Sequence, residues 1–282
     1  MEPADHGATG AGGETSVSLT GVPETALITL YNRGTEARRP GGLIQDPLAA
    51  ELITSIGYPF AERFGRPELS HVLRAVLFDR EIRGFLHGQP RGTVVALGEG
   101  LETQLWRVDN GSVRWISVDL PEMIDLRRRL LPAHPRNELM ACSALNAAWT
   151  SMAEPAAPVL VVAQGLLMYF TDADVDGFFE MVAARCPGAA VLFDTIPAWA
   201  ATSTGHRQNR SYRMPPQPWG TGRRDLLRIP GRVRGVAGVR ILPAVRGRGL
   251  GWGVCYPAAT RIPGLRGLLP QTAIVTTSPP GP

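Results

Sequence analysis

Two apolar, β-branched runs in this chain each end in a residue that changes their meaning. Thr93-Val94-Val95-Ala96-Leu97 runs into Gly98-Glu99-Gly100, and Val113-Arg114-Trp115-Ile116-Ser117-Val118 ends on Asp119. A glycine turn after a buried strand, with an acid about twenty residues further on at the next strand tip, fits the way an open α/β sheet holds a nucleoside. The turn lets backbone approach the ligand closely, and the acid accepts hydrogen bonds from ribose hydroxyls.

The rest of the chain supplies the matching alternation. Helical character runs from Thr25 to Arg39. Asp46-Pro47 opens a short helix as N-cap and first-turn proline, and a longer helix covers about Glu68 to His87. Past the glycine turn, a helix is expected from Glu102 to about Val108 and another from Pro121. Further strands are expected at Glu138–Ser143, Pro158–Ala163 and Ala189–Asp194, and Thr171 to Asp174 cap the helix before the last of these. Two late strands fall within Val236–Leu242 and at Ala273–Thr277. This β-α repetition predicts a doubly wound, mostly parallel seven-stranded α/β sheet. Three stretches are expected along the chain: a disordered lead-in over residues 1–20, a helical cap over 21–90, and the core over 91–282. The core carries a lid insertion at about 198–230, where the pattern turns polar and proline-bearing.

Composition narrows the functions available. No apolar run reaches the roughly 18 residues needed to cross a bilayer, and the N-terminus lacks a basic start and an apolar core of the signal-peptide kind. A cytoplasmic location is therefore expected, with no membrane partner. Cys142, Cys186 and Cys255 match neither a metal spacing nor a disulfide framework, and the five histidines form no ligand pair. No metal is expected. Net charge is +4 and every basic residue is arginine. The arginine-rich stretch from Arg207 to Arg248 lacks the aromatic interleaving of a nucleic-acid module, so no nucleic-acid partner is expected.

The glycine turn and distant acid are shared by dehydrogenases and methyltransferases, and the third glycine of the dinucleotide pattern is missing. The surrounding segments decide between them. Val94 to Thr103, Trp115 to Glu122 with Asp119-Leu120-Pro121, and Gln164-Gly165-Leu166-Leu167-Met168-Tyr169-Phe170 resemble the motifs of the leucine carboxyl methyltransferase family, a branch of the class I S-adenosylmethionine-dependent methyltransferases. Arg33 to Ala50 resembles its helical cap. Tyr212 to Gly220 is similar to a bacterial subgroup that modifies polyketides and other small molecules. The resemblance covers about Glu24 to Leu268.

The resemblance implies a class I (Rossmann-like) fold, S-adenosyl-L-methionine as cofactor, and a set of site residues. Gly98 and Gly100 pass close to the methionine part of the cofactor, and Asp119 and the adjoining Leu120 lie at the ribose. Ser143, Ala144 and Leu145 lie near adenine. Arg74 pairs with the cofactor carboxylate, a task suited to a guanidinium fork, and Gln164 stands near the methionine amino group. The family commonly has Glu where this chain has Gln164, a small residue at Glu99, and Asp and Arg at Glu102 and Gln104. Glu99 is therefore expected to take over the contact to the cofactor ammonium.

Methyl transfer from a sulfonium needs alignment more than activation. A carboxylate acceptor needs no base, whereas a phenol benefits from one. The expected acceptor is an anionic or aromatic small molecule, polyketide-like, methylated on a carboxylate or acidic hydroxyl. Arg33, Arg39, Arg207 and Arg210 are candidates to grip it, Tyr31, Tyr169, Tyr212 and Trp219 to wall it in, and His206 and Tyr212 are the catalytic candidates. Two alternatives stay open at this level: a methyltransferase-like binding or auxiliary protein without turnover, and a protein carboxyl methyltransferase.

Overall fold

The computed structural model describes residues 21–153, 157–202 and 211–279. The expected lead-in at 1–20 lies outside the described residues, as do His206, Arg207 and Arg210.

Seven strands form one sheet in the order β3-β2-β1-β4-β5-β7-β6: β1 Thr93–Leu97, β2 Arg114–Asp119, β3 Asn137–Ala141, β4 Val159–Ala163, β5 Ala190–Thr195, β6 Val236–Ile241 and β7 Gln271–Thr277. The first five run parallel, and β7 is antiparallel to both β5 and β6. Every residue of β1 and β4 is buried, which explains their uninterrupted apolar sequences, since helices cover both faces of the sheet. One face packs Val95, Ile116, Val161 and Val191 against Phe178 and Phe179. The other packs Val94, Trp115, Leu160 and Leu192 against Phe78 and Ile82.

The chain leaves β1 toward β2 and β3, then crosses back to place β4 and β5 on the other side of β1. The order in which strands are added therefore reverses between β1 and β4, and ligands of open α/β sheets bind outside the strand ends at such a point. Helices α1 Thr25–Ala37, α2 Pro47–Ser55, α3 Phe60–Phe64 and α4 Leu69–Gly88 precede the sheet. Asp46 caps α2 by accepting the Ala49 N–H at 3.1 Å, as the Asp-Pro pair predicts. Helix α1 packs on α2 and α4. It brings Ala26 against the loop after β1, where a Cβ on Gly100 would lie 2.9 Å from the Ala26 methyl. After β1 come α5 Gln104–Val108, then α6 Pro121–Leu130 following β2 and α7 Asp172–Arg185 following β4. Helix α5 starts two residues later than expected, because Glu102 and Thr103 turn back to bind groups on α2 and α5. A capping box between Thr171 and Asp174 starts α7.

Candidate functional site

A cavity of about 290 Å³ opens at the β1/β4 reversal. The ends of β1, β2 and β4, the turn after β3 and the first turns of α1 form its walls. Of the ten cofactor residues expected from the sequence, nine line it: Arg74, Gly98, Glu99, Gly100, Asp119, Leu120, Ser143, Ala144 and Gln164. Leu145 does not; it lies at the surface, just past the adenine-side residues.

Gly98 and Gly100 both have φ near +55° (57° and 55°), a conformation that costs other residues about 1–2 kcal/mol. A side chain at Gly98 would meet Leu166 Cδ1 at 2.7 Å. The two glycines thus let the loop curl over the strand ends while leaving the cavity open. Asp119 holds this loop in place. Its Oδ2 accepts the Gly100 N–H at 2.7 Å and its Oδ1 the Leu120 N–H at 2.8 Å. Burial raises the Asp119 pKa above the usual carboxylate value, and those two N–H donors only partly offset it. The carboxylate stays at the cavity wall, where a vicinal diol could replace lost hydration.

Glu99 has a different position from the one expected. Its carboxylate lies beneath the loop, 2.9 Å from Arg127 Nη2, with both side chains almost fully buried. Burial raises its pKa, with Arg127 opposing. Arg127 also donates to the carbonyls of Gly100 and Glu102, at 2.7 and 3.0 Å. The Glu99–Arg127 pair is thus a strut for the glycine loop, and Glu99 is not placed to meet a cofactor ammonium.

The carboxylate beside Gln164 is Glu102. Gln164 Nε2 donates to Glu102 Oε2 at 3.0 Å, and the Gln104 amide reaches both Asp79 Oδ1 (3.0 Å) and Gln164 Oε1 (3.4 Å). Behind them, Arg107 binds Asp46, Asp79 and Glu102, each at 2.7–2.9 Å. Arg33 binds Asp46 at 3.1 Å, Glu102 at 2.9 Å and the Leu101 carbonyl at 2.8 Å. Burial alone would raise the pKa of Asp46 and Glu102, but Arg33 and Arg107 more than offset it and hold both low. Arg83 also reaches Asp79, at 3.8 Å, so three guanidiniums face three carboxylates and the network is balanced in formal charge. It opens on the cavity through Glu102 and Gln164, whose oxygens are hydrogen-bond acceptors of the kind an ammonium group needs. The departures at Glu102, Gln104 and Gln164 are therefore one hydrogen-bonded unit.

Several expected substrate residues are corrected by their surroundings. Arg33 is 1% exposed and fully engaged, so it cannot grip an acceptor. Arg39 is exposed and lines no cavity described here. Tyr31 stacks on Phe60 at 5.5 Å and donates to the Gly65 carbonyl. Tyr212 packs edge-on against Phe64 and is 1% exposed; burial pushes its phenol up, which removes it as a catalytic base. Trp219 is buried beside Phe193, and its backbone N–H bonds the Met168 carbonyl. Tyr212 and Trp219 are core, and Tyr31 is partly buried against the Phe60 cluster, because their large apolar faces stabilise the fold by burial. Tyr169 does line the cofactor cavity.

A second cavity of about 680 Å³ lies at the ends of β5, β6 and β7. Arg74 lines both cavities and forms part of the wall between them. Its Nη1 donates to Asp194 Oδ2 at 3.0 Å, and Asp194 Oδ1 accepts the Gly165 N–H at 2.6 Å. Asp194 was legible by the same signal as Asp119, an acid closing an apolar strand, yet no role was drawn from it. His71, also in this second cavity, was missed. The Glu68 N–H fixes Asn32 Oδ1, so the Asn32 amide donates to His71 Nδ1 at 2.6 Å. Burial, with Arg74 and Arg33 nearby, lowers the His71 pKa to about 3. Among the described residues, no group of three histidines, cysteines or carboxylates could hold a metal ion, and no helix is long and apolar enough to cross a membrane.

Comparison with known proteins agrees with this geometry. Residues 26–183 match the family model of leucine carboxyl methyltransferase. The tetracenomycin polyketide synthesis O-methyltransferase TcmP of Streptomyces glaucescens is 34% identical over 224 residues, which is 78% of this chain and 83% of that protein. The S-adenosyl-L-methionine-dependent methyltransferase dpfgK of Gibberella zeae is 32% identical over 56% of this chain and 59% of its own length. A solved methyltransferase-type structure from Thermobifida fusca superimposes with a TM-score of 0.53 at 15% identity, over 90% of this chain and 94% of that one, and so shares the fold. Sheet order, glycine loop, strand-tip acid and these matches converge: the chain belongs to the leucine carboxyl methyltransferase family and is an S-adenosylmethionine-dependent methyltransferase.

Proposed function

We propose that this methyltransferase acts on an oxygen of a small molecule that reaches it already ionised, a carboxylate or an acidic hydroxyl on a polyketide-like aromatic body. The observation that carries this reading is the state of the titratable groups in the second cavity. His71 is the one imidazole lining it among the described residues, and with its pKa at about 3 and Nδ1 occupied by Asn32, it is a poor proton acceptor at neutral pH. Asp194 has both oxygens engaged, one by Arg74 and one by the Gly165 N–H. An acceptor that needs no deprotonation suits such a chamber, and carboxylates are ionised at neutral pH.

Bound S-adenosylmethionine supplies an electrophilic methyl, transferred as the acceptor oxygen forms its O–C bond and the S–C bond pair returns to sulfur. This chain positions the partners. The glycine loop and Asp119 form the adenosyl side of the cofactor cavity, and the Glu102–Gln164 unit offers hydrogen-bond acceptors to the methionine ammonium. Arg74, held at Nη1 by Asp194 in the wall between the two cavities, keeps a buried Nε–H that has no partner among the described residues and that a carboxylate can accept. The polyketide class is suggested by TcmP, whose similarity spans most of both chains.

The test is incubation of the full chain with S-adenosylmethionine and a panel of aromatic carboxylic acids and acidic phenols, read by mass spectrometry. The expected product carries one added methyl on oxygen, and alkaline hydrolysis distinguishes ester from ether. Binding of S-adenosylhomocysteine without O-methylation of any panel member would overturn the reading, as would a methyl found on nitrogen or carbon.

A further inference from the structure

We propose that the second cavity is the acceptor chamber and that it selects an aromatic acceptor with a second, unreactive anionic group, held by Arg246, Arg261 and Arg266. This inference rests on the functional reading above.

From Leu226 to Pro282 the chain has eight arginines and no aspartate or glutamate. The structure sorts these arginines. Arg228, Arg232, Arg240 and Arg248 each pair with a carboxylate from elsewhere: Asp225, Asp176, Glu81 and Glu36 respectively. Arg234, Arg246, Arg261 and Arg266 form no ion pair among the described residues. Three of these four, all but Arg234, line the second cavity. Arg223, also without an ion pair among the described residues, lines it too.

Among the described residues, the carboxylates lining the chamber are Asp194, already neutralised by Arg74, and the exposed Glu68. A concave site with one sign of uncompensated charge concentrates counter-charge, because its low-dielectric walls focus the field. Guanidiniums present forks suited to carboxylates. The chamber also has an aromatic pair, Trp252 and Tyr256 with ring centroids 4.8 Å apart, and apolar walls from Met168 and Leu242. Its volume, about 680 Å³, lies within the range of small-ligand pockets. The lining therefore combines the Arg74–Asp194 pair, which adjoins the first cavity, with apolar and aromatic surface and with arginines that have no ion pair among the described residues. A ligand matching it has a nucleophilic oxygen, a planar body and a second, anionic group.

The test uses the full chain and two probes, naphthoate and a naphthalenedicarboxylate with its carboxylates at opposite ends, titrated calorimetrically with and without S-adenosylhomocysteine. The dicarboxylate is expected to bind about tenfold more tightly, and higher salt should erase the difference, since rim charges are screened. The R246Q/R261Q/R266Q variant is expected to bring the two probes within about twofold of each other while leaving S-adenosylhomocysteine affinity unchanged. The unchanged cofactor affinity would report an intact fold. Equal affinity of the two probes for the wild-type chain would overturn the inference. So would a preference that survives in the triple variant, or displacement of the dicarboxylate by a single-stranded RNA oligonucleotide that binds more tightly. Failure of the wild-type chain to bind S-adenosylhomocysteine would instead strike the functional reading, because the probe preference measured without it still decides the role of the arginines.

Discussion

Arg127→Met tests whether the glycine loop is held from beneath. Arg127 is 1% exposed, pairs with Glu99 at 2.9 Å and donates to two loop carbonyls, those of Gly100 and Glu102. Methionine fills similar space with no charge, so Glu99 is left buried without a counter-ion. Removing one partner of a buried pair costs about 3–5 kcal/mol. For a chain of this size class, with roughly 2–4 °C lost per kcal/mol, the melting temperature should fall by roughly 6–20 °C.

The pH dependence gives the sign. Burial raises the Glu99 pKa in the folded state, so its favourable contribution as a neutral acid is complete below the ordinary glutamate value of about 4.3. That contribution is lost as pH rises through the raised folded value. Without Arg127 the folded value moves higher still. The stability gap between wild type and R127M should therefore widen from pH 5 to pH 8. Adding E99Q should recover part of the loss and flatten that dependence, as followed by thermal and urea unfolding. A loss under about 1 kcal/mol, a gap independent of pH, or an E99Q change that adds to the loss would refute the strut.

Asp119→Ala should weaken S-adenosylhomocysteine binding about 10–100-fold in calorimetry, the range for losing one or two charge-assisted hydrogen bonds; affinity within twofold of wild type would remove Asp119 as the ribose group. Gly100→Ala, with φ +55° and a new methyl 2.9 Å from Ala26 Cβ, should lose about 1–2 kcal/mol of stability and bind the cofactor product less tightly; an unchanged urea midpoint would show that the loop and α1 yield freely. His71, with its folded pKa lowered to about 3 from an ordinary 6.5, stabilises the fold fully above pH 6.5, and this is lost as pH falls toward 3. H71Q should accordingly flatten the melting-temperature profile in that window, and an identical profile would exclude His71 as a source of acid lability.

The sheet and the residues that line the first cavity were legible because their signals are local. A strand buried on both faces is written as an unbroken apolar run, as in Thr93–Leu97 and Val159–Ala163, and the strand tip shows itself where that run gives way to glycine or an acid. Gly98, Gly100 and Asp119 are recognisable within a few residues of sequence. A charged side chain is different, since its role depends on counter-charges contributed from distant segments. Arg33 looked like an anion grip, yet its partners come from the cap of α2 and the loop after β1, and they consume it. Glu99 looked available to an ammonium until α6 supplied Arg127. Tyr212 and Trp219 failed for the related reason that an aromatic residue in a polar, proline-bearing stretch can still be turned inward, and both are.

Locating each counter-charge also moves the expected anion site. Arg33 lies in a network of three guanidiniums and three carboxylates, so its charge is already matched and it has none to spare for an incoming anion, the role its side chain alone suggested. In the late, acid-free segment, half of the arginines take carboxylates from other elements, and three of the remaining four face one chamber. The first cavity thus presents the carboxylate and amide oxygens of Glu102 and Gln164, while the neighbouring chamber presents guanidiniums without an ion pair among the described residues, with Arg74 and Asp194 neutralising each other at the boundary. A methyl donor carrying an ammonium and an acceptor arriving as an anion would be drawn to different sides of that boundary. The arrangement discourages either from occupying the other's place, and it depends on charge placement that no single segment of the sequence displays.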